Sequence, residues 1–334
     1  MIKIAQIGIG YWGPNLLRNL VANKDCNVKL VIDIAKERRE YVKNYYPHIK
    51  VSDNIQDIVK DASINAVVIA TPFKTHFDLT MRMLHAGRHV LVEKPMASNL
   101  SEIEEIKALA QKKNLIAMVG HTFLYNSAVR YVKRIIDSGE LGDIRYIYSQ
   151  RLNLGRIRSD TDALWNFAPH DISIIQYWLN EPEPVSISFH GMDYIQKGIN
   201  DVVFMNIIYP DKIIANIHVS WLDPQRTRRM VVVGSKKMVV YDDIAENKIA
   251  IYDKGIDRMA ILGQNMDYDN PERMKFNHRS GDVLLPKVDF EEPIKAEIVH
   301  FIDCIVNGKK CLSDAEHAKK VIKILCNSKS DSLI

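Results

Sequence analysis

A chain of 334 residues can hold two domains that each bury a full core. Its composition, 47% hydrophobic and 26% charged, is that of an ordinary globular protein and excludes a disordered or collagen-like chain. The formal charge of +4 comes from 45 Lys+Arg against 41 Asp+Glu with no basic stripe or helix, so no nucleic-acid partner is expected.

Up to about residue 122 short apolar runs alternate with helical patterns. The runs Lys3–Ile7, Val28–Ile32, Ala66–Ala70, His89–Val92 and Ile116–Val119 predict strands. Between them lie amphipathic stretches such as Asp78–Ala86, closed by Gly87, and Ser101–Lys112, where Ser101 and Glu104 have the spacing of a capping box. Strands alternating with helices predict a parallel, doubly wound α/β domain over residues 1–122.

After residue 140 the pattern changes. Ile144–Ser149, Val185–Phe189, Val202–Tyr209, Ile213–Ser220, Met230–Val233 and Met238–Tyr241 are rich in β-branched and aromatic residues, with only turns between several of them. Helices are expected at Ser127–Asp137, His170–Leu179, Ile294–Val306 and Asp314–Leu325. Residues 123–334 therefore read as an α+β domain built on a large, open, mainly antiparallel sheet. Val202, Phe204, Asn206 and Ile208 would form one side of a strand, and Val203, Met205, Ile207 and Tyr209 the other. Neither side is polar enough for a solvated face, so this sheet is expected to make a homodimer or homotetramer.

Cys26, Cys304, Cys311 and Cys326 show no C-x-x-C pair and no metal-ligand spacing, and read as buried thiols in a reducing compartment. No apolar stretch approaches membrane-spanning length, and the first residues lack the pattern of a secretory leader, so a cytoplasmic protein without a membrane partner is expected.

Gly8-Ile9-Gly10-Tyr11-Trp12-Gly13 is a G-x-G-x-x-G placed after an apolar strand and before a helix carrying Leu16, Leu17, Leu20 and Val21. Gly8 would permit the tight turn, Gly10 the approach of a pyrophosphate, and Gly13 close strand–helix packing, with the helix N-terminus facing the phosphates. Asp33 follows 20 residues after Gly13, where a carboxylate holds both hydroxyls of an adenosine ribose and repels a 2′-phosphate. NAD is thus expected over NADP, although Arg38 and Arg39 keep NADP as an alternative. Glu93-Lys94-Pro95 closes the strand His89–Val92 at its carboxyl end, the edge where open α/β sheets bind ligands. The proline holds Lys94 extended, so that its ammonium can reach a nicotinamide and a reacting hydroxyl. A plain surface lysine is the competing reading.

Taken together, Gly8–Gly13, Asp33, Ala70-Thr71-Pro72 with His76, Glu93-Lys94-Pro95 and Asn166-Phe167-Ala168-Pro169-His170 resemble the Gfo/Idh/MocA oxidoreductases, in the family's order and over essentially the whole chain. The resemblance implies that Tyr11, Trp12, Thr71, Pro72, His76 and Glu93 line the dinucleotide beside the glycines. It implies that Lys94 contacts the nicotinamide ribose and the substrate hydroxyl, and that His170 is the general base. The family commonly carries aspartate four residues before that histidine; Asn166 stands there instead and cannot hold charge. Independently, His170 is expected to open a helix just after Pro169, close to Lys94, where the helix dipole and the ammonium both disfavour imidazolium.

Gly120–Asn126 and Arg151–Asp160 resemble the branch of the family that oxidises the C3 hydroxyl of UDP-N-acetylglucosamine-type sugar nucleotides. That branch supplies an aminotransferase in lipid A or surface-polysaccharide synthesis. Arg151, Arg156 and Arg158 could clamp a diphosphate, Tyr125 and Trp221 could stack on a sugar or uracil, and Asn153 and Asn166 could hydrogen-bond the substrate. The arginines read equally as surface charges or oligomer contacts. The alternatives are a dTDP-sugar ketoreductase, a dehydrogenase of a free polyol such as inositol, and a non-catalytic NAD-binding regulator, against which Lys94, His170 and the lack of a DNA-binding segment argue.

Overall fold

The computed structural model describes residues 1–155, 157–259 and 275–327. Two packing units emerge. The first comprises residues 1–126, 172–176 and 290–327, and the second residues 127–171 and 177–289 as far as they are described. The boundary expected after residue 122 follows the change in strand pattern, whereas packing groups the last two helices with the N-terminal sheet.

The first unit is built on β1 (Ile2–Ile7), β2 (Cys26–Ile32), β3 (Lys50–Ser52), β4 (Ala66–Ile69), β5 (His89–Glu93) and β6 (Ala117–Gly120). They form one parallel sheet in the order β3-β2-β1-β4-β5-β6. Every residue of β4 is fully buried, as a strand covered on both faces requires. The order reverses between β1 and β4, and the crevice beyond their carboxyl ends is where such sheets take ligands. The helices of this part are α1 (Gly13–Ala22), α2 (Lys36–Tyr45), α3 (Gln56–Lys60), α4 (His76–His85) and α5 (Leu100–Lys113).

The cap of α5 differs from expectation. Asn99, not Ser101, is the N-cap: its side chain accepts the Glu102 N–H at 3.0 Å, and Glu102 reaches back to the Ser98 N–H at 2.8 Å. Glu104 instead pairs with Lys319. β3 escapes sequence reading because three residues, one exposed and two half-buried, carry no periodic signal.

The second unit contains α6 (Ser127–Asp137), β7 (Ile144–Leu154), α7 (Ala163–Trp178), β8 (Ser186–Met192), β9 (Val202–Ile208), β10 (Ile214–Ser220), β11 (Leu222–Gly234), β12 (Met238–Asp242), β13 (Ile249–Met259) and β14 (Lys275–Leu284). Its sheet runs β14-β13-β12-β11-β7-β10-β9-β8, antiparallel except for the β7–β10 pair. Val203, Met205 and Ile207 face the core from β9 with Ala215, Ile217 and Val219 of β10, all fully buried. Phe204, Ile208 and Ile214, on the opposite face, are 40–47% exposed. β13 and β14 are missed by the sequence reading because both carry charged residues, such as Lys254, Asp257, Arg279 and Asp282, within the run.

α7 corrects the sequence reading most. The helix begins at Ala163, seven residues before His170, and carries Pro169 in its interior. Asp162 supplies the start that the sequence pattern puts at His170: its carboxylate accepts the Trp165 N–H at 2.9 Å, and its carbonyl accepts Asn166 N–H at 3.0 Å. Helices α8 (Pro293–Val306) and α9 (Ala315–Asn327) complete the chain's described part. No helix among the described residues is long and apolar enough to cross a membrane.

Candidate active site

The glycine turn leaves β1 with Gly8 at φ 95°, a conformation that L side chains rarely adopt, and a Cβ there would meet the Ala70 carbonyl oxygen at 2.6 Å. A Cβ on Gly13 would lie 2.4 Å from the Gly8 carbonyl oxygen, so the helix can pack this close only as glycine. At Gly10, by contrast, a Cβ would meet nothing within 4 Å. The turn therefore leaves open space at the one glycine assigned to a pyrophosphate, and the chain fits the group there.

A residue that sequence reasoning missed fastens this turn. Gln6 is fully buried, and its amide donates to the Gly8 carbonyl at 3.0 Å and the Gly13 carbonyl at 2.9 Å, tying both ends of the loop together. The signal was available: a polar side chain inside an apolar parallel strand must find partners. Tyr11 is 90% exposed and Trp12 38% exposed at the tip of the turn.

Asp33 ends β2 beside the turn. One carboxylate oxygen accepts the Ile9 N–H at 2.7 Å and the other the Ala35 N–H at 2.9 Å. A carboxylate has about four acceptor sites, so lone pairs remain for two ribose hydroxyls. Arg39, the alternative partner of a 2′-phosphate, donates instead to the carbonyls of Asp33 and Ile34 and pairs with Asp53 at 3.2 Å. Arg38, exposed on α2, makes no such contact among the described residues.

Thr71 and Pro72 follow β4. The Thr71 hydroxyl meets that of Thr75 at 2.7 Å, and Thr75 donates to the Pro72 carbonyl at 2.8 Å. His76, expected to line the dinucleotide, lies beneath this loop with 1% of its surface exposed. Its ring nitrogens stand 2.9 Å from the Thr71 carbonyl and 2.8 Å from the Pro95 carbonyl. Burial holds the imidazole below its ordinary pKa, and a neutral ring donates only one proton. His76 is thus a brace between the two loops rather than a wall of the crevice.

The end of β5 gathers more ionisable groups than the motif foretold. Burial pushes the Glu93 carboxyl up to about 7, against the opposing pull of Lys94 and a hydrogen bond from the Trp12 indole. Glu297 of α8 is fully buried and accepts the Thr122 hydroxyl at 3.0 Å; burial and the neighbouring Glu93 hold it well above the usual carboxylate range. His121, buried against His317 with ring centroids 5.1 Å apart, is held well below its ordinary value by burial, His317 and Lys94. Lys94 therefore stands beside groups that burial shifts toward their uncharged forms. Glu297 sits among Ile294, Ile298 and Phe301, and a lone carboxylate on an apolar helix face was its sequence signal.

In the second unit, Asn166 and His170 stand four residues apart on α7, and so share one face of the helix. His170 lies in the middle of that helix, so the argument that a helix N-terminus keeps its imidazole neutral does not hold. Three expected substrate contacts are also corrected. Arg151 is buried in a fork with Asp171, at 2.7 Å from one oxygen and 3.2 Å by Nε, and has no face for a diphosphate. Burial lowers its pKa, yet the charge and hydrogen bonds of Asp171, with Tyr241 and Asp243, together outweigh that and leave it raised. Trp221 is fully buried, with its indole N–H on the Asp201 carboxylate and Phe167 edge-on at 6.5 Å. Tyr125, in the first unit, is 1% exposed with its hydroxyl 2.9 Å from Ser313. Large aromatic side chains in mixed patterns are bought by the core before a ligand can use them.

Arg158 remains exposed, forked onto Asp160 at 2.9 and 2.6 Å. The half-buried Asn153 has a side-chain carbonyl that is buried with no hydrogen-bond donor among the described residues. Arg156 lies outside the described residues.

Comparison with known proteins accords with these two units. Residues 2–121 match the family described as an oxidoreductase family with an NAD-binding Rossmann fold, and residues 129–240 match the Gfo/Idh/MocA C-terminal domain. An NAD(+)-dependent scyllo-inositol 2-dehydrogenase of Bacillus subtilis is 25% identical over 92% of this chain and 87% of its own length. An NADP(+)-dependent scyllo-inositol 2-dehydrogenase of the same organism is 31% identical over 49% of this chain and 46% of its own. The matched segments span between 46% and 69% of four of the curated relatives. The fold is also that of UDP-N-acetylglucosamine 3-dehydrogenase from Acidithiobacillus ferrooxidans, with a TM-score of 0.78 at 22% identity over 96% of this chain and 94% of that one. With its glycine turn and its sheet domain both matched in chain order, this chain belongs to the Gfo/Idh/MocA family of NAD-binding oxidoreductases.

Proposed function

We propose that the protein oxidises the C3 hydroxyl of a UDP-N-acetylglucosamine-type sugar nucleotide with NAD, giving a 3-keto sugar for a sugar aminotransferase. The observation that carries the oxidoreductase part is Lys94 at the carboxyl end of β5, close enough to Glu93 and His121 to shift both. An ammonium there stabilises the negative charge that grows on the substrate oxygen as its proton leaves. His170 takes that proton, and Asn166, on the same helix face, orients a neighbouring hydroxyl. NAD, when bound, supplies the acceptor for the hydride leaving the carbon. The turn at Gly10 and the Asp33 carboxylate would hold the cofactor, and the Trp12 indole donates to Glu93 beside Lys94.

The nucleotide part rests on the likeness in fold to the 3-dehydrogenase, on the exposed Arg158 and on Asn153. One observation favours a second reading. Arg151, Tyr125 and Trp221 are all engaged internally, which removes three of the contacts expected for a diphosphate and a base. A free polyol needs none of them, and the curated inositol dehydrogenases are relatives in sequence. We place the reaction in the cytoplasm.

Turnover of UDP-sugars against free inositol and glucose, with NADH absorbance as the readout, separates the two. UDP should inhibit competitively with the sugar substrate. No inhibition by UDP, together with oxidation of free inositol, would assign the enzyme to the polyol class.

A further inference from the structure

Read by spacing, the four cysteines hold no metal pattern, yet folding of the C-terminal segment brings two of them together. His300 and Cys304 stand four residues apart on α8 and so share a face. Cys304 Sγ lies 3.4 Å from His300 Nε2. The chain turns back after α8, and Cys311 arrives at the same spot. A ring nitrogen of His300 and the two Sγ atoms all lie within 4.8 Å of one another, and all three residues are buried.

The imidazole is already presented as a ligand. The Leu312 N–H donates to its Nε2 at 3.0 Å, which identifies Nε2 as the unprotonated nitrogen, its one lone pair serving that N–H until an ion takes it. The Tyr125 ring, 5.3 Å away, packs against the imidazole. The contacts it shares with Cys311 and His300 hold the Cys304 thiol below its ordinary value against burial, while the bond to Cys304 and burial push Cys311 up. Donors around one ion, with metal–sulfur near 2.3 Å and metal–nitrogen near 2.0 Å, stand roughly 3.5–4 Å apart. The Cys304–His300 separation of 3.4 Å is close to that, and the other two stay within 4.8 Å.

We propose that His300, Cys304 and Cys311 form a buried binding site for a thiophilic d¹⁰ cation, zinc(II) or copper(I). Two sulfurs and an imidazole select these ions over magnesium or calcium, which take oxygen donors. Binding transfers the two thiol protons to solvent and leaves the sulfurs at their oxidation state, so no oxidant is needed. The Leu312 N–H gives up its acceptor when the lone pair turns to the ion. Copper(I) is satisfied by three donors, whereas zinc(II) takes a fourth from water. The ion would pin the end of α8 to the segment that leads into α9.

The test uses the full chain, reduced, stripped with chelator and reloaded anaerobically with one ion at a time. Zinc(II) is then challenged with 4-(2-pyridylazo)resorcinol and copper(I) with bicinchoninate. One equivalent of one ion should be retained, and cobalt(II) in its place should give a thiolate charge-transfer band. Cys304→Ser and Cys311→Ser should each weaken binding by at least the 10–100-fold typical of losing an outer-shell partner, while Cys26→Ser changes nothing. Should a variant fail to fold, the wild type still decides: the bound ion must protect Cys304 and Cys311 from alkylation, and not Cys26 or Cys326. Retention of neither ion, or protection of the other cysteines, overturns the proposal. So does a Cys304–Cys311 disulfide forming in air in a protein that never retains an ion, which would assign the pair to thiol redox chemistry.

Discussion

Replacing Arg151 tests whether this side chain belongs to the substrate or to the core. Its guanidinium is forked onto Asp171 by three hydrogen bonds of 2.7 to 3.2 Å, and both residues are buried, at 6% and 1% exposure. Arg151→Met leaves the Asp171 carboxylate in the core without its cation, and Asp171→Ala leaves the guanidinium without its anion. Each should cost about 3–5 kcal/mol, the usual penalty for stranding one member of a buried pair, a large share of the roughly 5–15 kcal/mol that holds a domain folded. Removing both charges together, Arg151→Met with Asp171→Leu, should cost far less than the sum of about 6–10 kcal/mol, because no desolvated charge is left. Urea unfolding followed by the emission of the fully buried Trp178 and Trp221 reads all three variants. Single losses below about 1 kcal/mol, the value of an exposed pair, would refute the burial argument. So would a double variant that loses the full sum. A diphosphate-binding Arg151 predicts the reverse pattern: stability untouched and the KM for a UDP-sugar raised.

Four further outcomes follow from the site and the sheet. NAD should bind at least about tenfold tighter than NADP, since hydrogen bonds to a charged group contribute about 1.5–3 kcal/mol; calorimetry on the wild type and Asp33→Ser decides it, and an unchanged preference in the variant removes Asp33 from the ribose site. Lys94→Met and His170→Asn should retain NAD binding while turnover falls by on the order of 10² or more; near-normal turnover in both would displace the active site. Glu93 is raised from 4.5 to about 7 in the fold, so the folded chain binds the extra proton. Its contribution to stability is complete below about pH 4.5 and is lost as pH rises through about 7, and Glu93→Gln should flatten the stability profile across that window. Finally, the half-exposed Phe204, Ile208 and Ile214 lie together on the outer face of β9 and β10, and we expect this face to join subunits. Sedimentation at micromolar concentration should show a dimer or tetramer that Phe204→Lys dissociates, and a monomeric wild type would end that reading.

The parallel sheet and its cofactor turn were legible in the sequence because they rest on local rules. Apolar runs of strand length, a glycine at positive φ and an acid at the end of the next strand are set within about thirty residues; Gly8 and Gly13 do in the fold what their positions announce, and Asp33 stands beside the turn, accepting the Ile9 N–H. β13 and β14 were not legible, since exposed strands with charges inside the run lack the alternation that marks a half-buried face. α7 shows the limit of a strong local signal: Pro169 reads as a helix start, but Asp162 caps the chain seven residues earlier and the helix continues through the proline. Which polar and aromatic side chains are available to a ligand was decided by tertiary structure alone. Arg151, Trp221, Tyr125 and His76 each have the chemistry of a binding residue, and each is taken by a partner distant in sequence: Asp171, Asp201, Ser313 and Pro95. The same long-range closure sets Glu297 near Glu93 and Cys311 beside Cys304. A sequence pattern records what a side chain can do; burial and the partner that folding brings determine whether it is free to do it, because a buried polar group must be satisfied before it can serve anything else.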